Sequence, residues 1–271
     1  MRISAFGKTD VGKKRQKNED NILLKPELQL YVVADGMGGH VGGAVASKIA
    51  VDTIGEVIGA LTEDPDTTLQ NVSELRPGDI EGYLRYAIQM ASDRIFQKAN
   101  KENALSGMGT TAVTALFRDN KMFVANVGDS RCYRLRNSTF EQLTEDHSLV
   151  GEQLRAGIIR PAEARDHRLK NVITRSVGYQ DEIEVDIVVH PLQNGDLFLL
   201  CSDGLYNLIE DAEMHDIVTH HDFPEACTHL IDIANSRGGD DNISVILIRA
   251  GKATHLSAMT SKEEDAETIQ M

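Results

Sequence analysis

Leu30-Tyr31-Val32-Val33-Ala34-Asp35-Gly36-Met37-Gly38-Gly39-His40 decides how the rest of the chain is read. Its apolar run lacks alternation, so it reads as a strand covered on both faces, spanning residues 28–34. The run ends on a carboxylate, and a carboxylate at a buried strand end is costly to desolvate unless it is paired or coordinated. A glycine cluster over residues 36–43 follows, and then Ala44, Ser47, Val51, Ile54 and Ile58 recur at helical spacing. A dinucleotide loop would need glycine where Val41 stands, so Gly-x-Gly-x-x-Gly is not met. Close backbone approach explains these glycines better.

Working outward, β-type runs cover residues 3–9 and 21–24 before this segment, and 110–117, 122–127, 131–135, 183–189, 197–201 and 243–249 after it. Helical periodicity predicts helices over residues 79–100, Asp211–His220 and Phe223–Ser236, the first carrying Ile80, Leu84, Ala87, Ala91 and Ile95 on one face. Residues 148–171 break the pattern with short helical pieces and many charges. Past Gly251 the chain is polar and aperiodic, a disordered tail over 251–271. Strand groups with helix pairs between them predict an α+β fold, a two-sheet sandwich flanked by helices, rather than a doubly wound sheet.

Composition narrows the function. A net charge of −14 argues against a nucleic-acid partner. No stretch is apolar enough to span a bilayer and the N-terminus has no signal-peptide core, so a cytoplasmic location is expected. Cys132, Cys201 and Cys227 are isolated, read as reduced buried thiols, and none has an arginine six residues on, which excludes the Cys-x5-Arg phosphatase loop.

Four aspartates sit where β-type runs meet turns: Asp20, Asp35, Asp203 and Asp241. A lone Asp-Gly is ordinary turn chemistry. Two long apolar runs ending in Asp-Gly, with Asp241-Asn242 opening the last strand, point instead to a site. Oxygen-only donors suit hard cations, Mg²⁺ or Mn²⁺. Two such ions can clamp a phosphate and lower the pKa of a bridging water.

The chain resembles the metal-dependent type-2C Ser/Thr protein phosphatases in their bacterial form. The resemblance rests on Arg15-Gln16-Lys17-Asn18-Glu19-Asp20, Val33 to His40, Gly107-Met108-Gly109-Thr110-Thr111, Asn126 to Arg131, Leu143 to Ser148, Asn171 to Arg175, Ser202-Asp203-Gly204-Leu205 and Asp241 to Val245, in the family's order. It implies a four-layer α-β-β-α sandwich of two antiparallel sheets, over a catalytic domain of residues 1–250. It implies hydrolysis of phosphoserine and phosphothreonine in proteins by a bridging metal hydroxide, with two divalent cations, Mn²⁺ or Mg²⁺. In that scheme Asp35 bridges both ions and the Gly36 carbonyl binds one. Asp203 and Asp241 complete the other, and Asp20 and Glu19 hold metal-bound water. Arg15 takes the phosphate, Asp129 marks a weaker third-metal position, and residues 148–171 form a flap beside the site.

Met37 stands where many members carry histidine as general acid, so the proton donor is expected to be metal-bound water, with His40 second. Phosphoprotein substrates and a cognate Ser/Thr kinase are the expected partners. The alternatives are a catalytically inactive regulatory module of the same fold and a metal-dependent phosphodiesterase. Asp64-Pro65-Asp66-Thr67-Thr68 matches an aspartyl-phosphate motif but lies in a Pro-bearing loop, so it reads as a surface turn.

Overall fold

The apolar runs become the inner strands of two antiparallel sheets in the computed structural model, which describes residues 1–38, 41–63, 75, 76, 78–164, 167–180 and 182–251. One sheet is ordered β1 (Ile3–Asp10), β11 (Ile243–Ala250), β10 (Leu197–Cys201), β7 (Arg131–Arg136) and β8 (Thr139–Gln142). The other runs β2 (Asp20–Lys25), β3 (Leu30–Met37), β5 (Ala112–Arg118), β6 (Lys121–Val127) and β9 (Asp186–Pro191), with the two-residue β4 (Gly109–Thr110) paired to the end of β3.

Strand periodicity sorts the core into three apolar layers. On β3, Leu30, Val32 and Ala34 face α1 (Gly42–Glu63) and α2 (Ile80–Lys101), while Tyr31 and Val33 face the opposite sheet. On β11, Val245 and Leu247 face α6 (Asp211–His220) and α7 (Phe223–Ser236), while Ile246 and Ile248 face inward. The outcome is the four-layer α-β-β-α sandwich. Between the sheets Tyr31, Phe117 and Phe198 meet edge to face, with centroids 6.0 and 5.8 Å apart. Each such pair contributes about 0.5–1.5 kcal/mol beyond its buried area.

Local chemistry sets the helix ends. The Asp79 side chain accepts from the Gly82 amide before α2, and Asp222 accepts from Glu225 before α7, each satisfying an otherwise unpaired first-turn donor. Shorter helices fill the excursion over residues 148–171, α3 (Leu149–Arg155) and α4 (Pro161–Ala164), and α5 (Asp203–Tyr206) follows β10 directly. Cys132, Cys201 and Cys227 are free and buried. Among the described residues no helix is long and apolar enough to cross a membrane.

Two expectations are corrected, and one strand is added. The strand over residues 28–34 begins at Leu30 and continues through Asp35 to Met37, because Gly36 and Met37 pair with β4. The strand expected over 183–189 begins only at Asp186. Ile183 instead donates its amide to Gln89 Oε1 (3.2 Å), and Val185 gives its carbonyl to Arg85 Nη1 (2.7 Å), so both residues belong to the α2 side. Strand β8 was not anticipated. Its signal was Asn137-Ser138, both at positive φ (49° and 63°), the two-residue turn that closes a tight hairpin. His40, Asp64-Pro65-Asp66-Thr67-Thr68 and the tail after Gly251 lie outside the described residues.

Candidate metal centre

Both sheets deliver aspartates to one end of the sandwich. Asp20 opens β2 directly opposite Asp35 on β3. Asp203 is the first residue of α5, immediately past β10, rather than a strand end. Asp241 precedes β11, and Asp129 lies in the turn between β6 and β7. The two Asp-Gly pairs are not turn chemistry. A Cβ on Gly36 would stand 2.1 Å from the Gly43 carbonyl oxygen, and one on Gly204 would stand 2.0 Å from that of Asn242. Glycine follows each aspartate because backbone from another element passes there.

The carboxylates are crowded and incompletely satisfied. Asp20 Oδ2 accepts from Ser202 Oγ (2.8 Å) and Ser244 Oγ (2.7 Å), joining the two sheets. Among the described residues, Asp20 Oδ1 and Asp203 Oδ1 are buried without a hydrogen-bond partner, and Asp203 Oδ2 accepts only from Asn207 Nδ2 (3.1 Å). A buried polar atom left unpaired costs the full desolvation of that group. Burial, with the charge of Asp241 added, pushes Asp20 up to about 6 against the hydroxyl hydrogen bonds that oppose it. Burial and the neighbouring carboxylates push Asp35 and Asp203 well above the carboxylate range. Burial and Asp146 bring Asp129 to about 7.

The backbone around these groups is held from several directions. Asp35 donates its amide to Thr111 Oγ1 (2.9 Å), and its carbonyl accepts from the Thr111 amide (2.8 Å) and Thr110 Oγ1 (2.9 Å). Asn242 accepts from the Glu19 amide (2.8 Å) and donates to the Val11 and Lys17 carbonyls (2.9 and 3.0 Å). It thereby stitches the loop bearing Arg15 to the start of β11. Arg15 Nη2 lies 2.7 Å from Asp241 Oδ2, half exposed.

Among the described residues, no three His, Cys, Asp or Glu side chains converge closely enough to hold an ion as they stand. Like charges repel, and Asp241 turns to Arg15 instead. The same end therefore collects Asp20, Asp35, Asp203, Asp241 and Asp129, with Arg15 at its rim and Glu19 beside Gly43. Sequence reasoning missed Ser202, Ser244 and Asn207 as supports. The two serines had a signal, polar residues inside apolar strand ends next to aspartates. Asn207 had only its helical spacing from Asp203.

Of two cavities, one adjoins this arrangement and the other lies away from it. One of about 550 Å³, lined by Ile3, Gln29, Phe117 and Arg118, opens at the opposite end of the sandwich and holds none of these aspartates. The other, about 490 Å³, is a groove between residues 148–170 and the α5–α6 segment, where Tyr206 and Asn207 line it. Tyr206 Oη donates to the Asp129 carbonyl (3.0 Å), so the groove shares a wall with the carboxylate cluster.

The family model for protein phosphatase 2C matches residues 5–243. The chain is 42% identical over 245 residues to the serine/threonine phosphatase stp of Listeria welshimeri, covering 89% of this chain and 93% of that one. The crystal structure of the Mycobacterium tuberculosis serine/threonine phosphatase PstP/Ppp superposes with a TM-score of 0.82 at 30% identity, over 92% of this chain and 99% of the other. A second PstP structure, of the catalytic domain in complex with two manganese ions, superposes with a TM-score of 0.79 at 30% identity, again over 92% and 99%. By fold, by motif order and by these matches, the chain belongs to the protein phosphatase 2C family.

Proposed function

We propose that this phosphatase hydrolyses phosphoserine and phosphothreonine in proteins, using divalent cations held by Asp20, Asp35, Gly36, Asp203 and Asp241. The observation that carries the reading is the pair of orphaned buried oxygens, Asp20 Oδ1 and Asp203 Oδ1, at the end where Asp35 and Asp241 also lie. Every donor there is oxygen, which fits Mn²⁺ or Mg²⁺. Bound ions of this kind supply Lewis acidity and lower the pKa of water, making hydroxide available near neutral pH. Two manganese ions in the PstP complex support the same reading. Asp129, at the same end, is the proposed weaker third position.

The chain's own residues do the rest. Arg15 offers a guanidinium fork that matches two phosphate oxygens, and it meets phosphate by exchanging its Asp241 contact for the ligand. Asn242 keeps that loop in place. Glu19 and Asp20 orient water by accepting its hydrogen bonds. Ser202 and Ser244 keep Asp20 aimed, and Thr110 and Thr111 keep Asp35 aimed. Residues 1–250 act as one catalytic unit in the cytoplasm, with 148–171 as the flap over the groove. Phosphoproteins are the substrates, and a Ser/Thr kinase sharing them is the expected partner.

The test is hydrolysis of a phosphothreonine peptide with Mn²⁺, with Mg²⁺ and with chelator. Turnover with either ion and none in chelator is expected. Full activity in chelator would falsify the reading, and no activity on any phosphopeptide would favour the inactive regulatory module. Arg15→Ala should raise KM, and should lower kcat as well if the fork follows the transition state.

A further inference from the structure

Asp186, the first residue of β9, lies outside the carboxylate cluster, yet it makes two contacts that converge from distant parts of the chain. Its Oδ2 stands 3.1 Å from His147 Nε2, and its Oδ1 accepts from Arg175 Nη1 at 2.9 Å. His147 immediately precedes residues 148–171, and Arg175 follows them. His147 is buried at 2% exposure, and its Nδ1 accepts from the Gly128 amide (3.1 Å), so its ring proton sits on Nε2 and is donated to Asp186. Arg175 also reaches Glu184 (3.1 Å). Burial works against ionisation of Asp186, but His147 and Arg175 together hold its carboxyl below the usual range.

Between the two contacts the stems form a short ladder. Thr174 donates to the His147 carbonyl (2.8 Å), Leu149 donates to that of Val172 (2.9 Å), and Ser148 bridges Ile173. One carboxylate therefore grips both stems of the excursion, alongside the bond from the His147 amide to the Gly128 carbonyl and the Thr110–Val177 bridge. The inner side of that excursion, Ser148, Val150, Leu154 and Lys170, is one wall of the 490 Å³ groove. Tyr206 and Asn207 on the opposite wall contact Asp129 and Asp203. Asp186 thus sits under the stems that carry one wall of this groove, beside the carboxylates.

We propose that Asp186 is a positioning residue: by holding His147 and Arg175 at once it fixes the flap stems and sets the groove that receives the polypeptide around the phosphorylated residue. The inference rests on the phosphatase reading above and names the element through which that reading selects peptides over small esters. Asp186 touches neither phosphate nor the proposed metal ligands, and its carboxylate is 40% exposed, so its removal spares the core.

The test compares two substrates in one enzyme, a phosphothreonine peptide long enough to fill the groove and p-nitrophenyl phosphate, both with Mn²⁺. Asp186→Asn keeps the side chain's size and removes its charge. It should raise the peptide KM roughly 5- to 20-fold with kcat within about twofold, while kcat/KM for p-nitrophenyl phosphate falls less than about threefold. Asp186→Glu should recover part of the peptide KM, and Arg175→Lys should lie between. Trypsin should nick the Asp186→Asn chain faster within residues 155–170, with the Mn²⁺-induced rise in melting temperature unchanged. Asp52→Asn, which breaks only the exposed pair with Lys48 on α1, should match wild type in every assay.

Equal losses on both substrates, an unchanged peptide KM, or a diminished Mn²⁺ shift would each overturn the proposal. The last would mean that Asp186 acts through Gly128 and Asp129. If wild type hydrolyses p-nitrophenyl phosphate in Mn²⁺ but Asp186→Asn shows no substrate split, the phosphatase reading stands and this inference falls. If wild type hydrolyses neither substrate, both fall.

Discussion

Strand β10 has an aspartate just before it and another just beyond it, and the two live in opposite circumstances. Asp196 is almost wholly buried, 1% exposed, and fully answered. Arg136 Nε and Nη2 meet its two oxygens at 2.7 and 2.6 Å, and the Gln193 amide adds a bond at 2.7 Å. Asp203 is also buried, yet among the described residues one oxygen has no partner and the other has only Asn207. Its charged neighbours are mostly Asp129, Asp241 and Asp20, with Arg15 a lesser opposing influence. A closed pair leaves nothing for a ligand to add. An open cluster of like charges is stable in ionised form only when cations complete it. Burial alone therefore does not mark a functional aspartate; unanswered burial does.

Turnover separates the two ends most sharply. Asp203→Ala should lower kcat/KM on a phosphopeptide by on the order of 10²–10³, the scale of losing a group that stabilises transition-state charge. Asp196→Ala, assayed well below its melting temperature, should stay within about threefold of wild type, since it lies at the far end of the strand. Comparable losses from both substitutions would break the comparison.

Thermal stability should show the reverse order. Removing one partner of a buried ion pair costs about 3–5 kcal/mol, so Asp196→Ala should lower the melting temperature by roughly 6–20 °C. Asp203→Asn relieves repulsion, so in chelator it should melt no lower than wild type. Saturating Mn²⁺ should raise wild type by about 5–10 °C per filled site. The rise should be blunted in Asp203→Asn and preserved in Asp196→Ala. A melting curve of wild type indifferent to Mn²⁺ and Mg²⁺ would show that the open end is not a cation site.

The last contrast is the pH response of the chelated protein. Asp20 at about 6 and Asp129 at about 7 hold protons more tightly when folded than the unfolded chain does, near 4. Their contribution is therefore fully present below about pH 4 and is lost as pH rises through their folded values. Metal-free wild type should melt higher at pH 5.5 than at pH 7.5, by roughly 3–5 °C per pK unit expressed. With saturating Mn²⁺ the order should invert, because protons then compete with the ion. A flat chelated profile would mean the carboxylates are less crowded than their burial implies.

Much of this was legible beforehand, for local reasons. The spans Asp211–His220 and Phe223–Ser236 were read correctly because apolar periodicity and flanking acidic residues lie within a few positions of each end. Asp35 and Asp203 stood out because a carboxylate after an apolar run, followed by glycine, is a local contradiction that needs an explanation. The β9 boundary was misplaced because Ile183, Val185 and Ile187 alternate as a strand should and all pack into the α1–α2 layer, yet ladder pairing with β6 begins only at Asp186. Alternation records which side chains are apolar; it does not record where the neighbouring strand stops offering backbone partners.

The amino-acid sequence by itself determined the donor chemistry, oxygen with no zinc-type cysteine or histidine pairs, and the periodicities from which sheets and helices are built. Tertiary structure alone decided which groups meet. Asp20 faces Asp35 through sheet register, Ser202 and Ser244 reach Asp20 across the sandwich, Arg136 answers Asp196 from 60 residues away, and Asp186 joins His147 to Arg175. Propensity and periodicity act over a turn of helix or a pair of strand residues. The energy of a buried charge instead depends on what stands within a few ångströms, and only the packed layers bring those groups together.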